Sequence, residues 1–122
     1  MLLLALLHLG FPRRFGWKSE FKSLSLLSAQ LMYVHTFFVA LVVFLFGMVC
    51  LLCAPELVEH TRLARAMALI LAIFWGLRCV FQFFVYSPQL WKGKKFETRL
   101  HILFSLIWVY FTIVFISLLI SV

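Results

Sequence analysis

The chain has 122 residues, is 66% hydrophobic and 12% charged, and carries a net charge of +7. An ordinary soluble domain is about 45–50% apolar and about 25% charged, and a soluble fold of this length has too little interior to hide so much apolar surface. With a mean hydropathy of +1.12, the solvent that fits is a lipid bilayer, with room for three or at most four helical crossings of about 20 residues each.

Residues 1–11 are apolar, but a helix of about ten residues is too short for a core about 30 Å thick. The positive residues Arg13 and Arg14 follow this run instead of preceding it, and no small-residue cleavage site comes after, so the pattern departs from a signal peptide. The stretch is expected to lie in or dip into the interface and to be retained; removal as a targeting segment is the alternative. Residues 12–30 mix Arg13, Arg14, Trp17, Lys18, Glu20 and Lys22 with serines and leucines. That mixture suits an amphipathic interfacial stretch, so residues 1–30 read as an N-terminal interfacial segment.

A transmembrane domain over 31–122 follows, with crossings predicted at 31–54, 64–86 and 100–121. Tyr33 marks the start of the first, as an interfacial aromatic should. Ala40, Gly47 and Ala54 recur along it as a close-packing stripe. Pro55 then caps this helix or opens the next, and Glu56 and Glu59 suit the positive end of the second helix. The short connection predicts a hairpin of the first two crossings. The second crossing carries small residues four apart, Ala64, Ala68, Ala72 and Gly76, which let helix backbones approach closely in lipid. Arg78 and Gln82 lie on what reads as a different side of the same helix. Pro88 ends it, Trp91 and the lysines 92, 94 and 95 make a basic loop, and Thr98 is the predicted cap of the third helix. The chain is expected to end near the membrane surface, without a soluble tail for catalysis.

Orientation follows from charge. Arg13, Arg14, Lys18, Lys22, Lys92, Lys94, Lys95 and Arg99 fall on one side, eight in all, against Arg62 and Arg65 on the other. Short basic loops stay cytoplasmic, so the N-terminus is expected in the cytoplasm and the C-terminus outside, in a cytoplasmic (inner) or organellar membrane. The same basic face suits anionic lipid. Nucleic acid is not an expected partner, because no basic stripe sits on a soluble module.

Residues with chemistry gather by topology on the cytoplasmic side. His35, Arg78 with Gln82, and His101 with Ser105 are brought toward one layer, a candidate polar pocket for a ligand or cofactor. On the third helix His101, Ser105, Trp108 and Thr112 share a face. A mid-helix arginine costs about 2.5–3.5 kcal/mol on insertion scales. No acid lies within the crossings, and Glu97 is the nearest partner by sequence. Arg78 therefore snorkels, bonds carbonyls or holds an anion. His35 and His101 are candidate haem or metal ligands. On the outer side Cys50, Cys53 and His60 have ligand types for copper or zinc, although thiols among leucines pack as small apolar groups.

The fold class is thus all-α, a polytopic integral membrane protein. The leading expectation is a small non-enzymatic membrane protein, an accessory subunit packed on other membrane subunits or a homo-oligomer. The first alternative is a haem- or quinone-binding electron-transfer subunit using His35, His101 and Arg78. In length and number of crossings the chain resembles the membrane-anchor subunits of succinate dehydrogenase and fumarate reductase, without a motif of theirs among its residues. The second alternative is an anion channel- or transporter-like oligomer with Arg78 lining the path.

Overall fold

The computed structural model describes residues 1–14, 16–87 and 92–122; Pro88 and Trp91, read above as helix terminator and loop residue, lie outside them. The described residues form helices and turns without a strand. In order these are α1 (Leu2–Arg14), α2 (Trp17–Glu20), a 3-10 helix (Phe21–Ser23), α3 (Leu26–Leu52), α4 (Ala54–Leu57), α5 (Arg62–Phe84) and α6 (Lys95–Ser121). Helices α3, α5 and α6 are each long and apolar enough to cross a membrane. The chain divides into two compact units, Met1–Ala54 and Pro55–Val122.

In the first unit α3 begins at Leu26, earlier than the predicted residue 31. Ser25 is the reason: its hydroxyl accepts the Ser28 backbone N–H at 3.2 Å and caps the helix. At 1.5 Å per residue α3 is about 40 Å long, roughly 10 Å more than a hydrocarbon core. Along it lies α1. Leu4, Ala5 and His8 of α1 are buried, as are Ala40, Val43 and Gly47 of α3. A Cβ on Gly47 would sit 2.8 Å from Leu2 Cδ2 and 3.1 Å from Met1 Cβ, so the start of the chain packs tightly on α3 at this glycine. Farther along the chain Trp17 and Phe21 place their rings 5.9 and 5.7 Å from Tyr33. Helix α1 therefore starts beside Gly47 and runs antiparallel to α3 toward Tyr33. Its outward residues are also leucine, with Leu3, Leu6, Leu7 and Leu9 exposed. A helix with leucines on both sides belongs against protein and lipid, and the polar–apolar mixture read over residues 12–30 starts within the last turn of α1, at Arg13 and Arg14. Gly16, at φ 63, makes the left-handed turn out of α1 that a side chain would strain.

The second unit is a helical hairpin. Thr61 caps α5, its hydroxyl accepting from Ala64 N–H at 3.1 Å. Glu56 falls in α4 and Glu59 lies before the cap, so both acids belong to the connection that leads into α5 and neither is in its first turn. Helix α6 begins at Lys95 after the left-handed Gly93. Thr98 is not its cap but sits in the first turn, donating to the Lys94 carbonyl at 2.8 Å.

The two helices meet along a regular seam. On α5, Ala64, Ala68, Leu71, Trp75, Arg78 and Gln82 follow one another at alternating spacings of four and three. On α6, His101, Ser105, Trp108, Thr112, Phe115, Leu119 and Val122 do the same. This is the heptad spacing of helices crossing at about +20°. Gln82 lies against His101 and Trp75 against Trp108, a register that sets Arg78 opposite Ser105 and Ala68 opposite Phe115. The seam thus has three zones: small residues facing large ones, a tryptophan pair, and a polar end. At the far end Arg65 Nη2 donates to the Val122 carbonyl at 2.8 Å and ties down the last turn of α6.

Candidate functional site

The polar end of the α5–α6 seam holds four of the five residues singled out as pocket-forming. Gln82 is 6% exposed and makes both of its bonds across the seam. Its Oε1 accepts the Trp108 indole N–H at 3.3 Å, and its Nε2 lies 2.7 Å from His101 Nδ1. An indole nitrogen only donates, which fixes the orientation of the amide. Gln82 Nε2 is then the donor, His101 Nδ1 the acceptor, and the imidazole proton lies on Nε2. Ser105 donates to the His101 carbonyl and Thr112 to the Trp108 carbonyl, each at 2.7 Å. Both hydroxyls thereby satisfy themselves within their own helix, as Ser and Thr do in apolar surroundings.

Arg78 does not pair with Glu97. Its guanidinium lies 5.0 Å from the Trp108 ring centre and 5.6 Å from that of Tyr86. Nη1 also donates to the Tyr86 hydroxyl at 3.4 Å. Two aromatic faces thus take the place of an acid, and Tyr86 beyond the end of α5 gives the head group a route toward the surface. The expectation that Arg78 and the alanine stripe lie on different sides of α5 is overturned. The stripe at a strict spacing of four drifts around the helix, whereas the seam alternates four and three and so includes both Arg78 and Ala68. The small residues do pack closely: Ala64 and Ala68 are buried, and a Cβ on Gly76 would lie 4.0 Å from Thr112 Cγ2.

The remaining candidates lie elsewhere. His35 belongs to the first unit and is exposed on α3, whereas His101 belongs to the second. An iron on His101 would have to take Nε2, since Nδ1 is committed to Gln82. Cys50 and Cys53 close α3 in the first unit. His60 belongs to the second, with Nδ1 3.4 Å from the Val122 carbonyl. Among the described residues no group of three or more His, Cys, Asp and Glu side chains is gathered to hold a metal.

Two residues of the seam and of α1 carry more than the sequence reading gave them. Trp75, 1% exposed, stacks on Trp108 at 5.3 Å and 19° and meets Phe111 at 4.6 Å. Its indole N–H is buried without a hydrogen-bond partner among the described residues. The available signal was the spacing of Trp75, Arg78 and Gln82, which puts them on one face. His8 is buried against α3 and donates from Nδ1 to the Leu4 carbonyl at 2.9 Å; a lone histidine in a leucine run was its signal. Comparison with family models, with curated proteins and with solved structures finds no match for the chain.

Proposed function

We propose that this is a small non-enzymatic integral membrane protein, acting as an accessory subunit of a membrane complex or as a homo-oligomer. The observation that carries this reading is the closure of the polar seam. Gln82 spends its amide on His101 and Trp108, Ser105 and Thr112 spend their hydroxyls on their own helix, and Arg78 is held by two aromatic rings. Polar groups that satisfy one another act as glue between membrane helices; a catalytic or cofactor site would aim them at a substrate. Supporting it further, both units present large apolar side chains outward, among them Phe37, Phe38, Leu69, Ile73, Leu103 and Leu106, as surfaces for lipid or neighbouring helices require. The excess of basic residues on the N-terminal side and on the loop before α6 supports a cytoplasmic N-terminus.

The test is purification from native membranes in mild detergent, with a visible spectrum and crosslinking before solubilisation. The expected result is colourless material crosslinked to a defined partner or to itself. A Soret band lost in His101→Ala would overturn the reading in favour of a haem subunit.

A further inference from the structure

At the other end of the chain, a cavity of about 660 Å³ opens in the first unit where α1, α2 and α3 converge. Leu9, Pro12 and Arg13 line it from α1, Gly16 from the turn, Lys18 from α2 and Tyr33 from α3. Its composition is two-sided: two basic side chains stand beside an aliphatic and aromatic floor. Among the described residues neither Arg13 nor Lys18 has an acidic partner, and the Tyr33 hydroxyl has no hydrogen-bond partner. The shape is built, not incidental. Gly16 at φ 63 turns the chain so that Lys18 lines the same cavity as Arg13, and Ser19 locks that turn by donating its hydroxyl to the Gly16 carbonyl at 2.7 Å. Trp17 and Phe21 then brace Tyr33 from one side.

Depth identifies the ligand. Helix α3 exceeds the hydrocarbon thickness by roughly 10 Å, which is about the rise from Leu26 to Tyr33. With Ser25, Ser28 and Gln30 in that first stretch, the excess belongs at the N-terminal end and Tyr33 sits at headgroup level. We infer that the Arg13–Lys18–Tyr33 cavity is a binding site for the phosphate of an anionic phospholipid. Arg13 grips phosphate oxygens with its fork, Lys18 adds a point charge, the Tyr33 hydroxyl donates a hydrogen bond, and the acyl chains descend past Leu9 along the leucine face of α1. A free phosphate would use the cations but leave the apolar floor in water. The inference rests on the membrane-embedded reading above.

The experiment uses the full chain in detergent, titrated with dioleoylphosphatidylglycerol or dioleoylphosphatidylcholine and read by native mass spectrometry. The wild type is expected to retain one phosphatidylglycerol in preference to phosphatidylcholine. Removing one cation should cost about fivefold in that preference, and Arg13→Gln/Lys18→Gln about 25-fold. Lys92→Gln/Lys94→Gln, outside the cavity, should leave it unchanged. Equal retention of the two lipids by the wild type, or an unchanged preference in the double variant, overturns the site. Displacement of the lipid by millimolar inorganic phosphate assigns the cations to a free anion and overturns it too. Should the double variant lose its helical circular dichroism, salt decides on the wild type: a preference that survives a rise from about 0.1 M to about 1 M, where screening shortens from about 10 Å to about 3 Å, rejects an open basic cavity. Flotation with neutral vesicles separates the two readings. A chain that inserts there without preferring phosphatidylglycerol loses only the lipid site, and a chain that does not insert loses the membrane reading itself.

Discussion

The two units solve the same packing problem with different materials. In the first, a leucine helix is held against α3 by shape: small residues, a glycine without room for a side chain and the buried His8. In the second, two long helices share a heptad seam that ends in interlocked polar groups. Lipid tails are as apolar as leucine, so burying leucine against leucine in a membrane gains little beyond van der Waals contact. Bonds between helices gain more, because the alternative is an unsatisfied donor in hydrocarbon. The second hairpin should therefore be the stable body of the protein, and α1 the element released first.

The most damaging change to this contrast should be Trp108→Ala. It removes the stack on Trp75, one bond to Gln82 and one face of Arg78, at a cost of about 3–5 kcal/mol by core-truncation precedent, read as the midpoint of unfolding in SDS mixed micelles. Next come the overpacking pair, each about 1–3 kcal/mol. Ala68→Leu, at a position with no exposed surface, should lower the same global midpoint. Gly47→Leu should leave that midpoint alone and instead accelerate hydrogen exchange in α1. If Gly47→Leu lowers the global midpoint as far as Ala68→Leu does, the two units are not energetically distinct. Smaller again is the Gln82–His101 bond. A double-mutant cycle with Gln82→Leu and His101→Leu should return a coupling of about 0.6–1.7 kcal/mol; zero coupling would mean that the polar end is not glue. A last contrast separates the two tryptophans. Trp75→Phe loses packing volume but no hydrogen bond, whereas Trp108→Phe loses the same volume and also leaves Gln82 Oε1 unpaired, which should make it the costlier of the two by about 1–3 kcal/mol.

Class and crossings were legible in the sequence because length and hydropathy are physical requirements of a bilayer. Gln82, His101 and Ser105 were legible as neighbours because helical spacing and the direction of each crossing carry them to one level. Three things were not. The start of α6 was placed too late because Thr98 looks like a cap, whereas the left-handed Gly93 lets the helix begin at Lys95. Arg78 was set apart from the alanine stripe because the eye follows the alanines at a spacing of four, while the partner helix selects the alternation of four and three, which takes in both. Finally, α1 was read from its length and flanking charges, which say nothing of its partner. Nothing in its run of leucines says that Gly47, far along the chain, has room for Leu2; only α3 can supply that.

That last contact also imposes an order of assembly. A chain made from its N-terminus exposes the leucines of α1 long before Gly47 exists to receive them, whereas the α5–α6 hairpin closes over a separation of 19 residues between Gln82 and His101. Local contacts form early and distant ones wait. During synthesis the leucines of α1 stay without their partner until Gly47 of α3 has been made, a longer wait along the chain than the one between Gln82 and His101.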